Sequence, residues 1–97
     1  MKYQFHPEAE VELNEAVDYY DRCQRGLGLE FAKEVYTTIE TICSFPLAWT
    51  PLSKNTRRCQ TKRFPFGVIY QIKGKEIIIV AIMQLNRKPE YWKKGKA

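Results

Sequence analysis

The sequence predicts an α+β domain in the order β-α-α-β-β-β, with a helical hairpin packed on a twisted, mainly antiparallel sheet. Three observations predict it. Apolar residues recur at helical spacing through the first half of the chain. Beyond residue 56 the spacing changes to alternation and then to a β-branched run. Glycine and proline punctuate these segments and leave short links, which join antiparallel neighbours. The 97 residues are expected to form a single domain over 1–97. Such a chain buries about 65% of its extended surface, enough for one core without metal or disulfide staples.

Lys2–Phe5, apolar at Tyr3 and Phe5, suits a brief first strand. Pro7 then stands where a helix accepts proline, in its first turn, with Glu8 and Glu10 favourable beside the positive end of the helix dipole. Ala9, Leu13, Ala16, Val17 and Tyr20 form one helical stripe. Gly26 is the expected stop, and Leu27 and Gly28 complete a tight link. Ala32, Val35, Ile39 and Ile42 make the second stripe, with Phe31 beside it, and Pro46 ends that helix near Ser44 or Phe45. Two helices so closely joined form an antiparallel hairpin.

Pro46 to Thr56 reads as a loop, with two prolines, Ser53 and Asn55. Arg57–Phe64 alternates weakly and is predicted as a strand ending at Pro65. Val68, Tyr70 and Ile72 alternate with Ile69 and Gln71 as a half-buried strand, and Lys73-Gly74-Lys75 is the hairpin turn. Ile77–Met83 is unbroken and apolar, as expected of a central strand covered on both faces. Pro89 to Lys94 is a basic tail carrying Tyr91 and Trp92.

Composition narrows the function. At 44% hydrophobic and 28% charged the chain is ordinary for a globular protein. Its longest apolar run, Ile77 to Met83, is far too short to span a bilayer, and the N-terminus carries no apolar export signal, so no membrane association is expected. Cys23, Cys43 and Cys59 are odd in number and lack zinc-type spacing, which fits core thiols in a reducing cytoplasm. Charge is split along the chain: residues 1–50 carry a net of −5 and residues 51–97 a net of +10. A polyanion should be repelled by the first half and drawn to the second.

Catalytic signatures are scarce. There is no glycine-rich phosphate loop, no GxSxG elbow and no HExxH. His6, the only histidine, is expected to cap the first helix, and without thiolate partners it cannot make a metal site. No metal and no cofactor are expected. The carboxylates of the first helix follow its solvated face, and Cys23 and Cys43 fall at or near apolar helical positions. The cationic residues carry the positive content. On the predicted strand, Arg58 and Lys62 share one face and Arg57 and Arg63 the other, so at least one pair looks outward or lines a groove. Arg87, Lys88, Lys93, Lys94 and Lys96 follow, with Tyr70, Tyr91 and Trp92 as aromatic surfaces among the cations. Cations with rings suit a single-stranded nucleic-acid site; the structural alternative is an edge strand made basic against aggregation.

The run RRCQTKRFPFGVIYQI, from Arg57 to Ile72, resembles a motif of the RelE/ParE superfamily of toxins. IIIVAIMQLNRKPEYWKK, from Ile77 to Lys94, is similar to that family's last strand and its Arg-x-Pro-x-Tyr-Trp ending. AVDYYDRCQRGLGLEFAKEV is similar to its helix–Gly-Leu-Gly–helix hairpin, and SFPLAWTPL to its proline-tryptophan loop. The hairpin is closer to the ParE, plasmid-stabilisation branch. The resemblance implies a growth-inhibiting toxin of a type II toxin–antitoxin module, held inactive in a hetero-oligomer by a cognate antitoxin. ParE-like toxins poison DNA gyrase; RelE-like toxins cut mRNA in the ribosome, without a metal. The candidate binding residues are Arg58, Arg63, Tyr70, Gln84, Arg87 and Trp92. Metal-free RNA cleavage needs cations around the phosphate and a proton donor, for which the candidates are Arg57, Arg58, Lys62 and Arg87 and, as donor, Tyr91. Many relatives carry a histidine where this chain has Gln84, and an amide cannot shuttle a proton near neutral pH. Non-catalytic inhibition of gyrase is therefore the leading expectation, the endoribonuclease the alternative, and a non-toxic basic binding module the third.

Overall fold

The computed structural model describes residues 1–85. The elements are β1 (Lys2–Phe5), α1 (Pro7–Cys23), α2 (Leu27–Ser44), β2 (Thr50–Pro51), β3 (Thr56–Gln60), β4 (Phe66–Lys73) and β5 (Glu76–Gln84). The strands form one sheet in the order β1-β5-β4-β3-β2. β1 pairs parallel with β5, and every other pairing is antiparallel. The predicted two-layer, mainly antiparallel architecture is therefore present, with one additional short strand, β2, inside the predicted loop.

The helix starts follow from local chemistry. His6 Nδ1 accepts the N–H of Glu8 at 3.1 Å, and Pro7 opens α1, so the lone histidine caps a helix as expected. The link between the helices differs from the expectation. α1 ends at Cys23, Gly26 is the N-cap of α2 with φ +88, and Leu27 and Gly28 lie in the first turn of α2. Gly26 has no side chain to cap with. Asp21 substitutes from the last turn of α1, its Oδ1 accepting the N–H groups of Gly26 at 3.0 Å and Gly28 at 3.4 Å.

The apolar stripes of both helices meet one face of the sheet. Ala9 and Leu13 of α1, and Phe31, Val35, Ile39 and Ile42 of α2, pack with Phe66, Val68, Tyr70, Ile77, Ile79 and Ile82. Tyr20, Phe31, Phe64 and Phe66 stack edge-on or tilted at one end of this core, at centroid separations of 4.8–6.1 Å. Burying each large aliphatic residue contributes about 1.5–3 kcal/mol.

Two strand expectations need correction. The central strand is β4, and Ile77–Met83 lies beside it in β5. The unbroken apolar run of β5 is covered fully on one face only. Ile77, Ile79 and Ile82 are buried against the helices, whereas Ile78, Val80 and Ala81 are half-buried. Val80 is an extra residue: Tyr70 pairs with Ile79 and Ile69 with Ala81, so β5 bulges there. The third strand is also shorter than predicted. It stops at Gln60 because Thr61 turns the chain, donating its N–H to Phe66 O at 2.9 Å and its hydroxyl to Phe64 O and Phe66 O. Lys62 and Arg63 therefore leave the sheet, and they share no strand face with Arg58 and Arg57.

Candidate functional site

Both described helices lie on one side of the sheet, so the site is sought on the other. Strand register defines that second face. Thr50 of β2, Arg58 of β3, Ile69 of β4 and Ala81 of β5 lie side by side across four strands. Gln60, Gly67 and Met83 form the neighbouring row. Thr56, Gln71 and Ile78 form the row on the other side, where Gln71 donates to Thr56 Oγ1 at 3.3 Å. The result is a face of amides and aliphatic side chains with one guanidinium in its middle.

Arg58 holds that position through its stem. A Cβ built on Gly67 would come within 3.0 Å of Arg58 Cδ and 3.1 Å of Cγ, so the stem lies across the bare backbone of Gly67. Ile69, next to Arg58 in register, is 5% exposed yet stands outside the helix-side core. Arg58 Nε is buried and has no hydrogen-bond partner among the described residues. A buried donor without an acceptor is costly, and an incoming carboxylate, phosphate or carbonyl would relieve that cost.

The other predicted cations are placed differently. Arg57 belongs to the opposite row of β3, and its Nη1 donates to Leu47 O at 3.2 Å and Trp49 O at 2.8 Å. Its charge anchors the loop after α2. Lys62 is exposed in the loop after β3. Arg63, in the same loop, pairs with Glu30 of α2 at 2.9 Å and lies over the Phe64 ring at 5.4 Å. Glu34 Oε2 accepts the backbone N–H groups of Arg63 at 2.8 Å and Phe64 at 3.1 Å, tying that loop to α2. Arg63 is thus turned toward the acidic hairpin. Gln84 ends β5, half-buried, opposite Phe66. Arg87, Tyr91 and Trp92 lie outside the described residues.

Tyr70 is a correction. It was expected as an aromatic surface among the cations, but it is fully buried on the helix side, as alternation with Val68 and Ile72 requires. Its hydroxyl donates to Pro46 O at 2.6 Å. Burial pushes this phenol up to about 12, with nearby Arg57 pulling the other way. The thiols divide as well. Cys59 is core, Cys43 is half-buried, and burial pushes both upward, away from the thiolate. Cys23 is exposed rather than packed. Among the described residues no group of three or more His, Cys, Asp or Glu could hold a metal ion. No described helix is long and apolar enough to cross a membrane.

Three carboxylates that the pattern of charge did not single out hold the scaffold on which the site rests. Glu12 of α1 accepts the N–H of Ile82 at 2.9 Å, just past the β5 bulge. Glu34 and Asp21 hold loops, as described above. Only Gln60 and Thr56 had a legible signal, the two-residue step from Arg58 along a strand.

The helical hairpin on one side of a mixed sheet is shared with solved toxins of the RelE/ParE superfamily. The chromosomal ParDE toxin–antitoxin system of P. aeruginosa aligns over 89% of this chain and 97% of its own, at TM-score 0.78 and 19% identity. The isolated E. coli RelE toxin aligns over 98% of this chain and 95% of its own, at TM-score 0.66 and 13% identity. At these identities the likeness is one of fold. No curated protein matches the chain in sequence. Residues 3–89 match the family of ParE toxins of type II toxin–antitoxin systems, parDE. The chain belongs to that family.

Proposed function

We propose that this protein acts in the cytoplasm as the toxin of a type II toxin–antitoxin module, covered by a cognate antitoxin in a hetero-oligomer. Released, it inhibits DNA gyrase by binding. The observation that carries this reading is Arg58, centred on the sheet face opposite the helices, with its Nε lacking an acceptor among the described residues. That face offers cation, amide and aliphatic surface, which is the chemistry of binding. The rows around Arg58 hold no histidine, cysteine or carboxylate among the described residues, which suits inhibition better than proton transfer. The family match to ParE toxins, the branch from which the gyrase expectation comes, supports the same reading.

The second reading is a metal-independent mRNA endoribonuclease, favoured by the fold likeness to RelE. It would use Arg57, Arg58, Lys62 and Arg87 for phosphate and Tyr91 for proton transfer. Arg57 weakens it, because its Nη1 is already engaged by two carbonyls of its own chain. Induced expression without antitoxin is the first test, and normal growth would leave only a non-toxic binding module. Supercoiling by gyrase and mapping of transcript ends then separate the two mechanisms. Inhibited supercoiling with intact transcripts is expected; cut transcripts with normal supercoiling would replace gyrase with mRNA.

A further inference from the structure

The loop between α2 and β3 exposes more apolar surface than its length calls for. Phe45, Leu47 and Leu52 are 63%, 70% and 48% exposed. A mobile loop could fold such side chains away, but this one is fastened along its backbone. Phe45 N–H reaches Thr41 O at 3.0 Å, Ala48 N–H reaches Phe45 O at 3.1 Å, and Leu52 N–H reaches Thr56 O at 2.8 Å. Tyr70 and Arg57 hold the carbonyls of Pro46, Leu47 and Trp49 from the core side. Three large apolar side chains are therefore held out into water on a knuckle of loop fastened through its backbone, where a partner can reach them.

Charge says what kind. From residue 41 to residue 75 the chain contains no Asp or Glu, and it carries seven cations: Lys54, Arg57, Arg58, Lys62, Arg63, Lys73 and Lys75. Lys54 stands two residues after Leu52 and is exposed. A nucleic acid would answer the cations but not two aliphatic leucines, which offer no flat face for stacking. A second copy meeting knuckle to knuckle would set cation against cation. An acidic polypeptide segment with apolar side chains answers both features. The knuckle also leads into the sheet beside Arg58, since Thr50 of β2 pairs with Arg58.

We propose that the Phe45–Leu52 knuckle docks an acidic, apolar segment of the antitoxin, extending the contact that the antitoxin makes with the Arg58 face. This rests on the toxin–antitoxin reading above. The probe is the protein encoded by the adjacent reading frame, titrated against the wild-type chain, Leu47→Ser, Phe45→Ser/Leu47→Ser and Lys54→Glu. Both knuckle side chains are mostly solvated, so the fold should survive, as circular dichroism will check; Leu47→Ser alone serves if the double variant does not fold. The expected result is binding weakened by about tenfold or more in the serine variants, chiefly through faster dissociation. Lys54→Glu should slow association and flatten its salt dependence. In cells, the serine variants should still arrest growth while the adjacent protein no longer rescues it. Equal affinity of wild type and Leu47→Ser would overturn the docking surface and leave the toxin–antitoxin reading intact. Failure of the wild type itself to bind would overturn that reading and the docking surface together. A dimer of this chain that Leu47→Ser dissolves, with antitoxin affinity unchanged, would give the knuckle to self-association and overturn the proposal.

Discussion

Arg58 lies across Gly67. A Cβ on Gly67 would sit 3.0 Å from Arg58 Cδ, so the missing side chain on β4 is what lets the guanidinium stem lie flat on the sheet. Gly67→Val should lift Arg58 off the face, and Arg58→Glu should reverse its charge. Both variants are expected to lose growth arrest while still folding, because Arg58 contributes nothing to the helix-side core. Viability assays paired with circular dichroism check this. Unchanged arrest in Arg58→Glu would remove Arg58 from the site.

Glu12 is expected to matter for stability rather than for binding. Its carboxylate, brought by α1, accepts the Ile82 N–H at 2.9 Å beside the bulge at Val80. Glu12→Ala strands a partly buried backbone donor and should cost about 1–3 kcal/mol in urea unfolding. Glu12→Gln keeps an acceptor and should cost less. Equal losses for the two would deny that hydrogen bond its role.

The same residues show what a linear reading could and could not reach. The helices were legible because their stripes, from Ala9 to Tyr20 and from Phe31 to Ile42, carry the helical period within a few turns. The burial of Tyr70 was also written in its alternation with Val68 and Ile72, and a basic neighbourhood masked it. The end of β3 was not legible. The alternation of TKRF continues beyond Gln60, while the turn is made by Thr61 reaching Phe64 and Phe66 and is held against α2 by Glu34, which accepts from Arg63 and Phe64. The site changed accordingly: of four arginines and lysines read as one basic strand, only Arg58 stands on the open face. Arg57 is taken by the carbonyls of Leu47 and Trp49, Arg63 by Glu30, and Lys62 is left in solvent; no local period records these long-range partners.

Tyr70 makes a prediction about alkaline pH. Burial raises its folded-state value to about 12, above the ordinary value of 10.0, so the folded protein holds the phenolic proton longer than the unfolded chain. The contribution is therefore complete below pH 10 and is lost as pH rises toward 12. Tyr70→Phe should lose the bond to Pro46 O, costing about 0.5–1.5 kcal/mol at neutral pH. The gap between the two proteins should then close across the alkaline window. Parallel stability curves for wild type and Tyr70→Phe as pH rises from 10.0 to about 12 would contradict the assignment.

Gly28 tests the hairpin on which the sheet rests. A Cβ there would stand 2.5 Å from the backbone carbonyl oxygen of Val17 and 3.1 Å from Val17 Cγ1. Backbone cannot move aside as a side chain can, so α2 must shift away from α1. Overpacking of this kind costs about 1–3 kcal/mol, against a gain of at most about 1 kcal/mol from replacing glycine in a helix. Gly28→Ala should therefore lower stability, and Gly28→Val should lower it further. The shift should also disturb the bond from Gly28 N–H to Asp21 Oδ1, which helps cap α2. Denaturant unfolding of the alanine variant decides the matter: stability equal to or above wild type would mean that the helices do not meet this closely.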